Sequence, residues 1–195
     1  MLSVFYRDLE FIVLPGVYEP SDDTYLLADH LEVAPGQSLL ELGTGCGMVA
    51  VLAALAGARV TATDISRRSI ECARLNASRH GVSIELLVGD LFEPVAGRRF
   101  DVVAFNPPYL PSASPSEDPV LRACEGGKDG RAVIDRFLRE LPDHLAPGGR
   151  VFLVQSSLSD ADRTEKRLLD MGFEVDRVRK KLWFEELLLF KARKV

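Results

Sequence analysis

A chain of 195 residues that is 47% hydrophobic and 27% charged has the size and make-up of one water-soluble globular domain. Its formal charge of −5 supplies no global basic field for nucleic acid, no apolar run approaches membrane-spanning length, and the start lacks the basic-then-apolar order of a signal peptide. Cys46, Cys72 and Cys124 are far apart and odd in number, and His30, His80 and His144 stand singly. No zinc spacing or disulfide framework emerges, so the expectation is a cytoplasmic domain over 1–195 with a short N-terminal extension and no metal.

In chain order, the stretch before Ser38 predicts one helix, capped by Ser21 and running through Leu31. Ser38–Leu42 reads as a buried strand, followed by a glycine turn and a helix over Gly47–Ala56. Arg59–Thr63 is the next strand. Ser66 then caps a helix that stops before Gly81. Ile84–Val88 and Asp101–Phe105 are further strands. Between Pro111 and Gly130 lies one long irregular segment, a length that in compact domains usually carries function. Ile134, Phe137, Leu138, Leu141 and Leu145 share one face of a helix over Arg131–Leu145. Gly148-Gly149 turns the chain into a strand at Val151–Gln155. Ser159 caps a last helix closed by Gly172, and strands near Phe173–Val178 and Leu187–Lys191 suit an antiparallel pair. Arg177, Arg179, Lys180 and Lys181 make a local basic patch there, which a solvated strand or turn explains. Strands alternating with helices predict an α/β fold, a doubly wound parallel sheet covered on both faces.

The glycine turn is Glu41-Leu42-Gly43-Thr44-Gly45-Cys46-Gly47. Glycines permit a tight turn and close approach of a ligand to the backbone, and small molecules bind at carboxyl ends of parallel strands. A dinucleotide fingerprint needs glycine where Met48 stands, and Glu41 would repel a pyrophosphate. A cationic ligand without phosphates suits the turn better, and S-adenosylmethionine is one. Asp64 ends the second strand, where a carboxylate can accept both ribose hydroxyls. Asp90 follows the third, where it can accept an adenine amino proton while Leu91 packs on the ring. Each acid alone reads equally well as a cap or loop charge; three at successive strand ends form a pattern.

Asn106-Pro107-Pro108-Tyr109 follows the apolar run Val102–Phe105. Proline fixes φ and gives up its donor, and it drives the preceding residue to extended geometry, which aims Asn106. The Asn106 side-chain oxygen and the Pro107 carbonyl can accept the two hydrogens of a planar –NH2 group, and Tyr109 offers a flat face. A proline turn that merely ends a strand is the competing explanation.

These motifs together resemble the class I methyltransferases, in the seven-stranded variant with a closing antiparallel hairpin, and specifically the HemK-like protein glutamine methyltransferases. Val17-Tyr18-Glu19-Pro20-Ser21-Asp22-Asp23-Thr24 and Glu125-Gly126-Gly127-Lys128-Asp129-Gly130-Arg131 resemble the archaeal and eukaryotic branch. The resemblance runs from about Gly16 to the last strand. It implies transfer of a methyl group from S-adenosylmethionine to the glutamine side-chain nitrogen in the Gly-Gly-Gln loop of a class I translation release factor. It places Thr24 near the cofactor, and Tyr18 and Glu19 near its methionine end or the reacting centre; a pre-helix staple and turn would also explain Tyr18-Glu19-Pro20. It implies a small zinc-containing activator that pairs with a sheet edge, for which Ile84–Val88 is the expected strand, and it implies an N-terminal recognition domain only in bacterial members. Glu125–Arg131 reads either as a contact to substrate backbone or as a cap on the next helix. The Asn-Pro-Pro-Tyr motif alone is shared with enzymes that methylate exocyclic amino groups of adenine or guanine in DNA or RNA. That reading stands as the alternative, and the acidic charge counts against it.

Overall fold

The strands are short, and those at the centre are apolar on both faces, so they can sit only where helices cover both sides. A computed structural model describes residues 1–114 and 116–195; Pro115, within the long irregular segment, lies outside the described residues. Its seven-stranded sheet is built from β3 (Ser38–Leu42), β4 (Arg59–Asp64), β5 (Ile84–Val88), β6 (Phe100–Phe105), β7 (Leu145–Ser156), β8 (Phe173–Lys181) and β9 (Glu186–Lys194). The order across the sheet is β5-β4-β3-β6-β7-β9-β8. The first five are parallel, and β9 runs antiparallel to both β7 and β8. The doubly wound sheet with its closing antiparallel pair is thus the architecture observed, and Ile84–Val88 is an edge strand.

Among the described residues five helices surround the sheet: α1 (Asp22–His30), α2 (Met48–Leu55), α3 (Arg67–Arg79), α5 (Ala132–His144) and α6 (Ala161–Asp170), while the one-turn α4 (Pro119–Arg122) sits in the long segment. Ile134, Phe137, Leu138 and Leu141 of α5 are buried, as their spacing demands. Ser66 caps α3, its hydroxyl accepting the Ser69 N–H at 3.3 Å.

Four local expectations need correction. The stretch before Ser38 holds more than one helix: β1 (Leu2–Tyr6) and β2 (Leu9–Val13) form an antiparallel hairpin. The last helix is capped by Asp160, whose Oδ1 accepts the Arg163 N–H at 3.2 Å; Ser159 is turned inward, its hydroxyl donating to the Ser156 carbonyl at 3.0 Å. Ser21 makes no side-chain cap on α1, because the Thr24 N–H is taken at 2.6 Å by the carboxylate of Asp23. Gly148-Gly149 lies within β7, at the point where its register against β6 shifts. The basic run on β8 is partly consumed by ion pairs, Arg177 with Asp162 and Glu165, and Lys180 with Asp22 at 2.9 Å.

Asn76 staples the hairpin to the body. This fully buried side chain accepts the Ile12 N–H at 2.8 Å and donates to the carbonyls of Ile12 and Cys46, each at 2.8 Å. It therefore connects β2, α3 and the glycine turn. Asn76→Ala strands these buried backbone partners at a cost of roughly 1–3 kcal/mol each. Urea unfolding is expected to show a loss of about 3 kcal/mol; a midpoint equal to wild type would refute the staple.

Candidate active site

The sheet register places the key residues before any side chain is considered. Leu42 pairs with Thr63 on one side and with Phe105 on the other. The next residue on each strand is Gly43, Asp64 and Asn106, so all three leave the sheet at one level. The order turns from β4 to β6 on the two sides of β3, and at such a switch point the carboxyl ends splay to leave a crevice. A cavity of about 740 Å³ opens there, within the range of small-molecule sites.

Gly43, Gly45, Glu41, Asp64, Asp90 and Leu91 line this cavity, as do Tyr18, Thr24, Asn106, Pro107 and Tyr109. Glu19 is exposed and does not line it. Gly47 sits at the start of α2 with φ of +83°, and a Cβ there would meet the Ala73 Cα at 2.8 Å, so its role is close packing of two helices. Gly45 has φ of +56° and open space where a Cβ would be, so the turn presents bare backbone to the cavity. Its amides are largely spent inside the protein. Thr44 N–H donates to the Thr63 carbonyl (3.0 Å), Gly45 N–H to Asp64 Oδ2 (2.9 Å), and Gly47 N–H to the Thr44 carbonyl (2.8 Å). A phosphate-cradling loop needs such amides free, so this turn is unsuited to pyrophosphate.

Asp64 also takes the Ser66 N–H on Oδ1 at 2.8 Å. Each of its oxygens keeps a lone pair for a ligand hydroxyl. Burial pushes its carboxyl upward, and the two backbone donors oppose that. Asp90 is bound at 2.7 Å by Arg136 of α5. Leu91, beside it, is buried with φ of +47°, a strained setting for a branched residue; Thr63 Oγ1 donates to its carbonyl at 3.4 Å.

The side-chain oxygen of Asn106 is buried and has no hydrogen-bond partner. An orphan acceptor of this kind is rare and costs about 1–3 kcal/mol. Asn106 follows a buried strand, precedes proline and lines the cavity, so the natural place for the missing donor is a ligand.

Asp23 is the residue that sequence reasoning missed. Only 4% exposed, its Oδ2 accepts the hydroxyls of Tyr18 (3.0 Å) and Tyr109 (2.9 Å). Burial first, then the Asp23 charge, pushes both phenols well above their usual range, so they stay neutral donors. Tyr109 thus has its ring fixed from the far end. The Glu125–Arg131 segment braces the same region. Leu110 N–H donates to the Cys124 carbonyl and Gly126 N–H to that of Leu110, each at 2.8 Å. Gly130 packs so closely that a Cβ would lie 2.3 Å from the Tyr109 carbonyl oxygen. The buried Arg131 guanidinium grips the carbonyls of Ser159 (2.6 Å) and Asp160 (2.7 Å). Among the described residues no cluster suited to a metal ion occurs, and no helix is long and apolar enough to cross a membrane.

Residues 8–181 match the family model described as the methyltransferase small domain. The chain belongs to this methyltransferase family. It is 41% identical, over 91% of its own length and 92% of the other, to a Methanocaldococcus jannaschii protein named provisionally as a protein N5-glutamine methyltransferase. It is 37% identical to the release factor glutamine methyltransferase of Geobacter sulfurreducens, over 85% of this chain and 62% of that longer relative. Among solved structures it resembles the E. cuniculi Mtq2–Trm112 complex, described as responsible for methylating the translation termination factor eRF1; identity is 30%, the TM-score 0.74, and coverage 92% of this chain and 99% of that one.

In this methyltransferase Glu41 is the most telling charge. It is buried, with Oε2 accepting the Thr44 hydroxyl at 2.5 Å. Burial pushes its carboxyl up to about 8, against the Thr44 hydrogen bond that lowers it. A folded value raised above the unfolded one means that Glu41 stabilises the fold fully below its ordinary value near 4.5, and that this stability is lost as pH rises through about 8. Thermal unfolding between those limits should therefore show wild type losing stability relative to Glu41→Gln as pH rises. Parallel curves would contradict the assignment.

Proposed function

We propose that this methyltransferase transfers a methyl group from S-adenosylmethionine to the side-chain amide nitrogen of the glutamine in the Gly-Gly-Gln loop of a class I translation release factor. The observation that carries the reading is Asn106, which lines a ligand-sized cavity and whose buried side-chain oxygen has no hydrogen-bond partner within the protein. The names of the archaeal and bacterial relatives support the substrate.

The residues present fit the cofactor. Asp64 would take the ribose hydroxyls on its free lone pairs, Asp90 and Leu91 the adenine, and the Gly43–Gly47 turn with Glu41, Tyr18 and Thr24 the amino-acid end. That three of the turn's amides are already spent suits a ligand without phosphates, and an ionised Glu41 suits a cationic one. When bound, S-adenosylmethionine supplies an electrophilic methyl group on a positively charged sulfur.

A primary amide nitrogen is a weak nucleophile because its lone pair is delocalised into the carbonyl. The protein's task is therefore to position it and to stabilise the charge that it acquires. Asn106 Oδ1 and the Pro107 carbonyl would accept its two hydrogens. Both acceptors are held before substrate arrives: proline restricts the Asn106 backbone, and the Gly126–Gly130 segment packs beneath the Tyr109 carbonyl. As positive charge grows on nitrogen, each hydrogen bond strengthens. Asp23 would hold the rings of Tyr18 and Tyr109 as the walls between which the amide lies. No dedicated base is needed, because the nitrogen carries a positive charge once methylated and gives up one of its two protons to water, leaving the neutral N-methyl amide.

The reading includes a partner. Strand β5 is paired on one side only, by β4, and an open edge accepts an added strand. A small zinc-containing activator would occupy it; that Mtq2 is found in a complex with Trm112 supports a partner subunit.

Mass spectrometry after incubation with methyl-labelled cofactor and release factor should find the methyl group on the Gly-Gly-Gln glutamine. Asn106→Ala should lower turnover by roughly 10²–10³ and leave cofactor affinity largely intact. Label in nucleic acid alone, or near wild-type turnover by the variant, would overturn the proposal.

A further inference from the structure

Two consecutive aromatic side chains stand almost entirely free of the protein. Trp183 is 96% exposed and Phe184 94%. They occupy the corner of the turn between β8 and β9, closed by the Leu182 N–H donating to the Glu185 carbonyl at 2.8 Å. Such corners ordinarily carry Gly, Asn, Asp, Ser or Pro, so two large apolar rings there have no local justification.

The turn is part of the cavity wall. Leu182 and Glu185, the residues on either side of the aromatic pair, both line the cavity. Its base is fixed by hydrogen bonds: the Ser156 hydroxyl donates to Glu185, and the Glu186 N–H donates to Ser157 Oγ at 3.0 Å. Lys180 binds Asp22, next to Asp23, at 2.9 Å. The rings are thus carried on a rigid mount at the mouth of the site. On α4, Leu121 is a further exposed apolar side chain between the lining residues Pro119 and Arg122.

We propose that the Trp183–Phe184 turn is the anchor on which the methyl-accepting protein docks, through an apolar patch beside its Gly-Gly-Gln loop. This rests on the function proposed above. A loop of two glycines and one glutamine offers backbone and a single side chain, so most of the grip on a protein substrate must come from surface around the cavity. Aromatic anchors are the residues that dominate such contacts. The neighbouring charges, Lys181 against Glu185 and Glu186, are of mixed sign, which leaves the rings as the distinguishing feature. The activator edge, β5, lies at the opposite end of the sheet from β8, about 29 Å away at the usual strand spacing, so an activator there leaves this turn uncovered.

Trp183 is the sole tryptophan of the chain, so enzyme grown with fluorotryptophan gives a single fluorine resonance from this site. Release factor should shift and broaden it, whereas S-adenosylmethionine alone should not. Replacing Trp183→Ser together with Phe184→Ser should raise KM for release factor roughly tenfold or more. It should leave KM for S-adenosylmethionine and turnover of a short synthetic Gly-Gly-Gln peptide unchanged. An unmoved resonance, an unchanged KM for release factor, or a resonance that moves instead with enzyme concentration or on adding the activator would each overturn the proposal. If wild type methylates no release factor, the function itself falls; if wild type and variant methylate it alike, only the docking site does.

Discussion

The oxygen of Asn106 has no donor inside the protein, and that constraint organises its surroundings. A strand end would normally let such a group turn to water or bond a neighbouring amide. Here two following prolines restrict the residue and a buried strand lies behind it. The cost of the orphan acceptor is met by the sheet, whose central strands are almost wholly buried. The same register that fixes Asn106 fixes Gly43 and Asp64 at its level. The proposed reaction therefore depends less on a reactive side chain than on the stiffness of three adjacent strands.

Charge then selects the ligand. Asp23, Glu41, Asp64 and Asp90 all line one cavity, and among the described residues Asp90 alone of the four has an arginine bound to it. Burial keeps Glu41 protonated below about 8, so the carboxyl avoids the full penalty of a buried charge where no cation neutralises it. A bound cation would draw the proton off and gain an ionised partner. The glycine turn completes the discrimination by spending its amides on Thr63, Asp64 and Thr44, which removes what a dinucleotide would require.

Much of this was legible in the sequence because it is local. Apolar runs gave the central strands, and periodicity gave α5. Glycine, acid and proline positions marked the strand ends that meet in the cavity. What escaped was carried by distant partners. The N-terminal hairpin depends on Asn76, far along the chain, and Leu2–Val13 alternates too weakly to announce it. Asp23 reads as an acid complementing the first turn of a helix, and nothing nearby signals that Tyr109 reaches it across the fold. Arg136 reads as the polar face of α5 although it binds Asp90. Ser159 and Asp160 are adjacent cap candidates, and what separates them is tertiary: the Ser159 hydroxyl turns inward to the Ser156 carbonyl, which leaves Asp160 to accept the Arg163 N–H.

The central claim is geometric, and a crystal structure with S-adenosylhomocysteine and a Gly-Gly-Gln peptide tests it most directly. The account predicts the glutamine amide nitrogen within hydrogen-bond reach of both Asn106 Oδ1 and the Pro107 carbonyl, roughly 2.7–3.2 Å from each. A peptide bound with its amide elsewhere, while Asn106 keeps its oxygen turned from the nitrogen, would contradict it.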